Sequence, residues 1–81
     1  MKYAFVSFAD VHTRKNVGCC IVQVTELYMA NDRCKQLGLM PNCCNNARGY
    51  ELNHDQFLEQ GMELNRFYSK SELVEMGFSL A

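Results

Sequence analysis

The sequence predicts an α+β domain: a small, mainly antiparallel sheet, made of a β-hairpin and a third short strand, covered on one face by two or three helices. Three observations carry that expectation. Residues 3–8 and 19–24 are dense in aromatic and β-branched side chains, the apolar spacing changes to a helical period after Thr25, and two further helix-capping signatures follow in the second half of the chain.

Tyr3-Ala4-Phe5-Val6-Ser7-Phe8 is apolar on both alternating faces, which suits a strand well inside a sheet. The polar run Asp10 to Gly18 follows, and Cys19 to Val24 resumes the strand pattern, so the pair reads as a hairpin with a long loop tipped by Arg14 and Lys15. Thr25 is placed to cap a helix in which Leu27, Ala30, Cys34 and Leu37 share a face, with Asn31, Asp32, Arg33, Lys35 and Gln36 as its wet side. Gly38 fits the position just past its end, and Pro41 follows as a stop.

Pro41 to Gly49 reads as a turn-rich stretch, with Tyr50-Glu51-Leu52 as the third strand. Asn53 and Gln56 have capping-box spacing and introduce a helix that either ends at Gly61 or continues to about Tyr68. Ser69-Lys70-Ser71-Glu72 repeats the capping-box spacing and introduces a short terminal helix with Leu73, Val74 and Met76 as its apolar positions before Gly77, and Phe78 and Leu80 are expected to fold back onto the core. Gly49 to Asn53 and Gly61 to Asn65 both spell Gly-x-Glu-Leu-Asn, a match too short for a solenoid repeat; it is a coincidence or two similar entries into successive helices.

At 81 residues the chain holds one core, so residues 1–81 are expected to form a single domain. A domain of this size buries only about 60 to 65% of its unfolded surface, which leaves room for a partner or a second copy to add stability. No apolar run approaches the roughly 20 residues of a membrane span, and the first residues do not resemble a secretory signal, so a cytoplasmic protein is expected. The charge is split: residues 1–48 carry six cations against three acids, and residues 49–81 two against six, so the halves stand at +3 and −4. Without a clear basic excess, direct nucleic-acid binding is not expected.

Five cysteines, an odd number with no export signal, predict reduced thiols rather than a disulfide framework. Cys19-Cys20 and Cys43-Cys44 are adjacent pairs, whereas a tetrahedral zinc site commonly takes cysteines two to four residues apart. On a strand, Cys19 and Cys20 would point to opposite faces. Cys20 and Cys34 therefore read as small buried hydrophobes, and no metal or other cofactor is expected. The zinc alternative would join Cys43 or Cys44 to His12 or His54.

No residue pattern supports catalysis. Neither His12 nor His54 is tied to a cysteine, and the carboxylate pairs Glu59/Glu63 and Glu72/Glu75 have helical spacing but no evident pocket. No Gly-rich phosphate loop is present. What remains is surface: Arg14 and Lys15 on a loop, the acidic Glu59, Glu63, Glu72 and Glu75, and the residues left over from the helix stripe, Tyr28, Met29, Leu39 and Met40, which form either a contact surface or a second core layer.

In size and composition the chain resembles the accessory proteins of phages and mobile elements, including anti-CRISPR-type inhibitors. The resemblance covers the whole chain, rests on no motif, and implies a non-enzymatic protein that occupies a surface of a larger protein or nucleoprotein. The alternatives are a zinc-stapled structural module and a small-molecule-binding homo-oligomer.

Overall fold

A computed structural model of the chain describes residues 1–42, 44–59 and 61–77, with residues 45–50 by their backbone alone. Cys43, Phe78 and Leu80 lie outside the described residues, and with them the candidate role of Cys43 in the zinc alternative and the folding back of Phe78 and Leu80.

The α+β class is found, as an antiparallel sheet of four strands with three short helices. The strands are β1 (Lys2–Asp10), β2 (Asn16–Val24), β3 (Cys44–Leu52) and β4 (Tyr68–Ser69), in the order β3-β1-β2-β4. The helices are α1 (Ala30–Gln36), entered through a 3₁₀ turn at Leu27–Met29, then α2 (His54–Glu59) and α3 (Lys70–Glu75). No helix among the described residues is long and apolar enough to cross a membrane.

β1 and β2 pair from Lys2 opposite Val24 to Phe8 opposite Gly18, and a bulge follows Phe8. The alternation of side chains sends Ala4, Val6, Phe8, Cys20, Val22 and Val24 into one core. Cys19 and Ile21, with the half-buried Tyr3 and Phe5, go to the other. The helices consequently divide. Ala30 and Cys34 of α1 join the first core, while Phe57 of α2 and Leu73 of α3 join the second with Met62 and Tyr68. The expectation of cover on one face is corrected to cover on both, because a two-faced apolar hairpin leaves about half its side chains in water if only one side is covered.

The loop between β1 and β2 is shorter than the polar sequence suggests, since β2 already begins at Asn16. The Asp10 carboxylate accepts the N–H groups of His12 at 2.8 Å and Thr13 at 2.9 Å, and Arg14 turns the chain at a φ of 60°. A short side chain that binds its own backbone in this way tightens the turn, so the strands stay paired almost to its tip.

The third strand extends well beyond Tyr50-Glu51-Leu52. β3 pairs with β1 from Tyr3 opposite Leu52 to Asp10 opposite Cys44, and draws the Asn-rich segment expected as a turn into the ladder. β1 lies between two neighbours, and its buried backbone groups need partners on both edges; that requirement outweighs the local turn preference of asparagine.

The helix ends follow the glycines. The N–H of Gly38 donates to the carbonyl of Lys35 at 3.1 Å, and that of Leu39 to Cys34 at 2.9 Å, a Schellman ending that Gly38 permits at a φ of 70°. The same bond pattern closes α2, from Gly61 to Leu58 and from Met62 to Phe57. α2 stops at Glu59, so no helix runs on to Tyr68, and Gly61-Met62-Glu63-Leu64-Asn65 is an irregular segment unlike the strand end Gly49 to Leu52. The match between the two is therefore not structural.

Of the expected caps, the one at Ser69 forms in full: its side chain accepts from the Glu72 N–H, and the Glu72 carboxylate accepts from the Ser69 N–H. At Asn53 the Gln56 side chain accepts the Asn53 N–H at 2.9 Å. Thr25 does not cap. The 3₁₀ turn is preceded by Glu26 and α1 by Met29, neither with a side-chain bond. In α3 only Leu73 is buried; Val74 and Met76 are exposed, because six residues present one face to a sheet.

β4 closes over Gly18. A methyl group there would collide with the Tyr68 carbonyl and the Phe67 ring, so glycine is what allows the strand to approach. Gly18→Ala is expected to lower stability by about 1–3 kcal/mol in urea unfolding, since a backbone carbonyl must move. Leu73→Ala is expected to cost about 2–5 kcal/mol in the same assay, whereas a helix lying outside the core would lose less than about 0.5 kcal/mol.

Candidate functional site

Past Val24 the chain turns through Thr25 and Glu26 into the 3₁₀ turn and α1. Leu27, Ala30 and Cys34 face the sheet at helical spacing and hold the segment down. Tyr28 is thereby pushed outward and is 83% exposed, with Met29 exposed beside it. Leu39 and Met40, grouped with them in the sequence, instead pack half-buried against the core.

Met29, Asp32, Arg33 and Gln36 form one wall of a half-open cleft of about 420 Å³. Val24 and Thr25 at the end of β2, with Gln23 and Met1, form the other. The Arg33 guanidinium donates to the Gln36 side chain at 3.4 Å, and Lys2 pairs with Glu26 at 3.5 Å on the same end of the sheet. The volume falls in the range of small-ligand sites, and the lining holds no thiol or imidazole. Asp32, Arg33 and Gln36 were legible only as the wet side of a helix; their recurrence with Met29 at 29, 32/33 and 36 is the signal that places them together.

The other expected residues lie elsewhere. Arg14 and Lys15 are exposed at the tip of the hairpin, at the far end of β2 from Tyr28 and Met29, a strand length of roughly 26 Å. Glu59 ends α2, and Glu63 sits in the irregular segment after Gly61 with its N–H donated to the Tyr68 hydroxyl at 2.6 Å. They do not share a helical face, because the helix between them has ended. Glu72 is not available as a free acid: it closes its cap and binds Arg66 at 3.0 Å, and Arg66 also lies over the Tyr68 ring at 4.5 Å. Glu75 remains exposed. The acidic cluster is thus three separate carboxylates, Glu59, Glu63 and Glu75, interleaved with the exposed apolar side chains Leu58, Val74 and Met76.

The cysteines are distributed by the strand alternation. Cys19 enters the second core, and Cys20, Cys34 and Cys44 the first. Among the described residues, no three His, Cys, Asp or Glu side chains are grouped to hold a metal ion. His12 is exposed on the hairpin loop, and the His54 ring lies tilted against Tyr3 at 5.2 Å and edge-on to Phe57 at 5.1 Å. Burial pushes the Cys19 thiol above its ordinary value of 9.0, against hydrogen bonds from Asn16 and Ser7 that lower it. Cys20 and Cys34 meet with their sulfurs 3.4 Å apart. That hydrogen bond, with burial acting in the same direction, pushes the Cys20 thiol far up; on Cys34 the bond acts downward and burial opposes it.

No family model, no curated protein and no solved structure matches this chain. The class defined by the fold is a small four-stranded antiparallel α+β domain, with a cleft at one end of the sheet lined by Val24, Met29, Asp32, Arg33 and Gln36.

The Cys19 shift has a definite sign. Above about pH 9 the unfolded chain gives up a proton that the folded chain keeps, so the contribution of Cys19 to stability is complete below that pH and lost as pH rises. Urea unfolding at pH 8 and pH 10 is expected to give a smaller loss of stability for Cys19→Ala than for the parent.

Proposed function

We propose that this protein is a non-enzymatic binding protein that occupies a surface of a larger protein or nucleoprotein, with Tyr28 and Met29 at the centre of the contact and Asp32, Arg33 and Gln36 beside them. The observation that carries this reading is the exposure of Tyr28 on a turn anchored by Leu27 and Ala30. An aromatic side chain held in water on a fixed backbone loses little further entropy on binding, and tyrosine and arginine dominate the energetic centres of protein interfaces. Arg14 and Lys15, at the opposite end of the hairpin, and the exposed Glu59, Glu63 and Glu75 would steer association by charge rather than form its centre. Glu72 belongs to the fold more than to the contact.

The finer reading, an inhibitor of the kind carried by phages and mobile elements, rests on size and composition. A second reading, a small-molecule-binding protein, is favoured by the volume of the cleft and places the ligand between Met29 and Val24.

Immobilised protein, incubated with lysate of its native host, is expected to retain a specific partner identified by mass spectrometry. The affinity of that partner for Tyr28→Ala/Met29→Ala, measured by titration, should fall by at least about tenfold, the loss of one strong interface residue. Circular dichroism should be unchanged, since neither side chain is buried. Undiminished affinity in a folded double variant would remove these residues from the contact.

A further inference from the structure

The contact between Cys20 and Cys34 joins the sheet to the helix that follows it. Cys20 is on β2 and Cys34 on α1, both are fully buried, and their sulfurs lie 3.4 Å apart. We propose that Cys20 and Cys34 are a dithiol that a low-molecular-weight disulfide such as oxidised glutathione converts to an intramolecular disulfide, fastening α1 to the sheet. The inference is independent of what the cleft above α1 binds.

The geometry favours Cys20 over Cys19 as the partner of Cys34. Cys19 is the chain neighbour of Cys20 but faces the second core, on the opposite side of the sheet, so it cannot meet Cys34 without turning β2 over. A disulfide sets its sulfurs at about 2.05 Å, and the approach of roughly 1.3 Å from the present contact falls on a seven-residue helix rather than on the paired strand. That helix is also the route by which an oxidant enters. α1 buries only Ala30 and Cys34, and its N-terminus has no side-chain cap, so it can separate from the sheet at less cost than the nine-residue β1–β2 ladder can open.

The exchange is balanced by the oxidant alone. With α1 lifted, the Cys34 thiolate attacks one sulfur of the small disulfide, breaks its S–S bond and expels one thiolate. As α1 returns, the Cys20 sulfur attacks the Cys34 sulfur of the mixed disulfide and expels the second. Two S–H bonds of the protein and one S–S bond of the oxidant become one S–S bond of the protein and two small thiols. The two protons end on the expelled thiolates, and two electrons pass from the protein to the oxidant.

The test uses the full chain, reduced and then equilibrated with oxidised glutathione at pH 8 over a range of ratios to reduced glutathione. Remaining thiols are alkylated in denaturant, and tryptic peptides are mapped without reduction. The expected product links residues 16–33 to residues 34–35, with fragmentation placing the bond at Cys20. Closing a loop of this length should raise the thermal midpoint by about 10–20 °C, reversibly on adding dithiothreitol. Cys19→Ala should keep both effects, and Cys34→Ala, a substitution helices accept, should abolish both. Recovery of Cys34 alkylated, joined to glutathione, or linked to any cysteine other than Cys20 would overturn the proposal. So would a Cys20–Cys34 link that forms in denaturant but not in the folded protein.

Discussion

The structure depends on a hairpin that is apolar on both faces. β1 and β2 lie in the middle of the sheet, and Val6 and Cys20 on one side are backed by Phe5 and Ile21 on the other. At about 25 cal/mol for each Å² of apolar surface, neither face can stay in water in a chain this small. The chain therefore sends α1 to one side and returns with α2 and α3 to the other. β3 comes between them as the partner that the free edge of β1 needs. Even the two-residue β4 and the residue before it serve both faces, with Phe67 packed on Phe8 at 5.9 Å and Tyr68 in the opposite core.

That division also governs the chemistry. Strand alternation separates Cys19 from Cys20, although the sequence sets them side by side, and the return of α1 brings Cys34 against Cys20 from 14 residues away. α1 has two roles as a result. Its inner face is narrow, Ala30 and Cys34, because small side chains let a short helix sit close to a crowded sheet. Its outer face and the turn before it carry Met29, Asp32, Arg33 and Gln36 over the cleft, with Tyr28 beside them. Whatever shifts α1 on the sheet moves both sets together.

Charged and polar side chains do more structural work than their formal charges suggest. Asp10 binds the turn that it begins, and Glu72 closes the α3 cap while holding Arg66 across the Tyr68 ring. A count of acids and bases along the chain treats these groups as free charge. The structure spends them locally, so the acidic end is less concentrated than the sequence implies, and its exposed members are interspersed with Leu58, Val74 and Met76.

What the sequence by itself determined was local. Strand patterning at Tyr3 to Phe8 and Cys19 to Val24, the Ser69–Glu72 capping box and the glycine endings at Gly38 and Gly61 are written in residues a few positions apart, and their energies depend on little else. The exposure of Tyr28 and Met29 was legible because they were what the helical stripe left over. The tertiary structure alone decided that an Asn-rich segment would be a strand, that the helices would take both faces, that Glu59 and Glu63 would part, and that Asp32 and Arg33 would line a cleft. Each of these is a choice of neighbour. Backbone pairing and burial depend on residues distant in the chain, and no period of two or 3.6 residues records which distant residues those are.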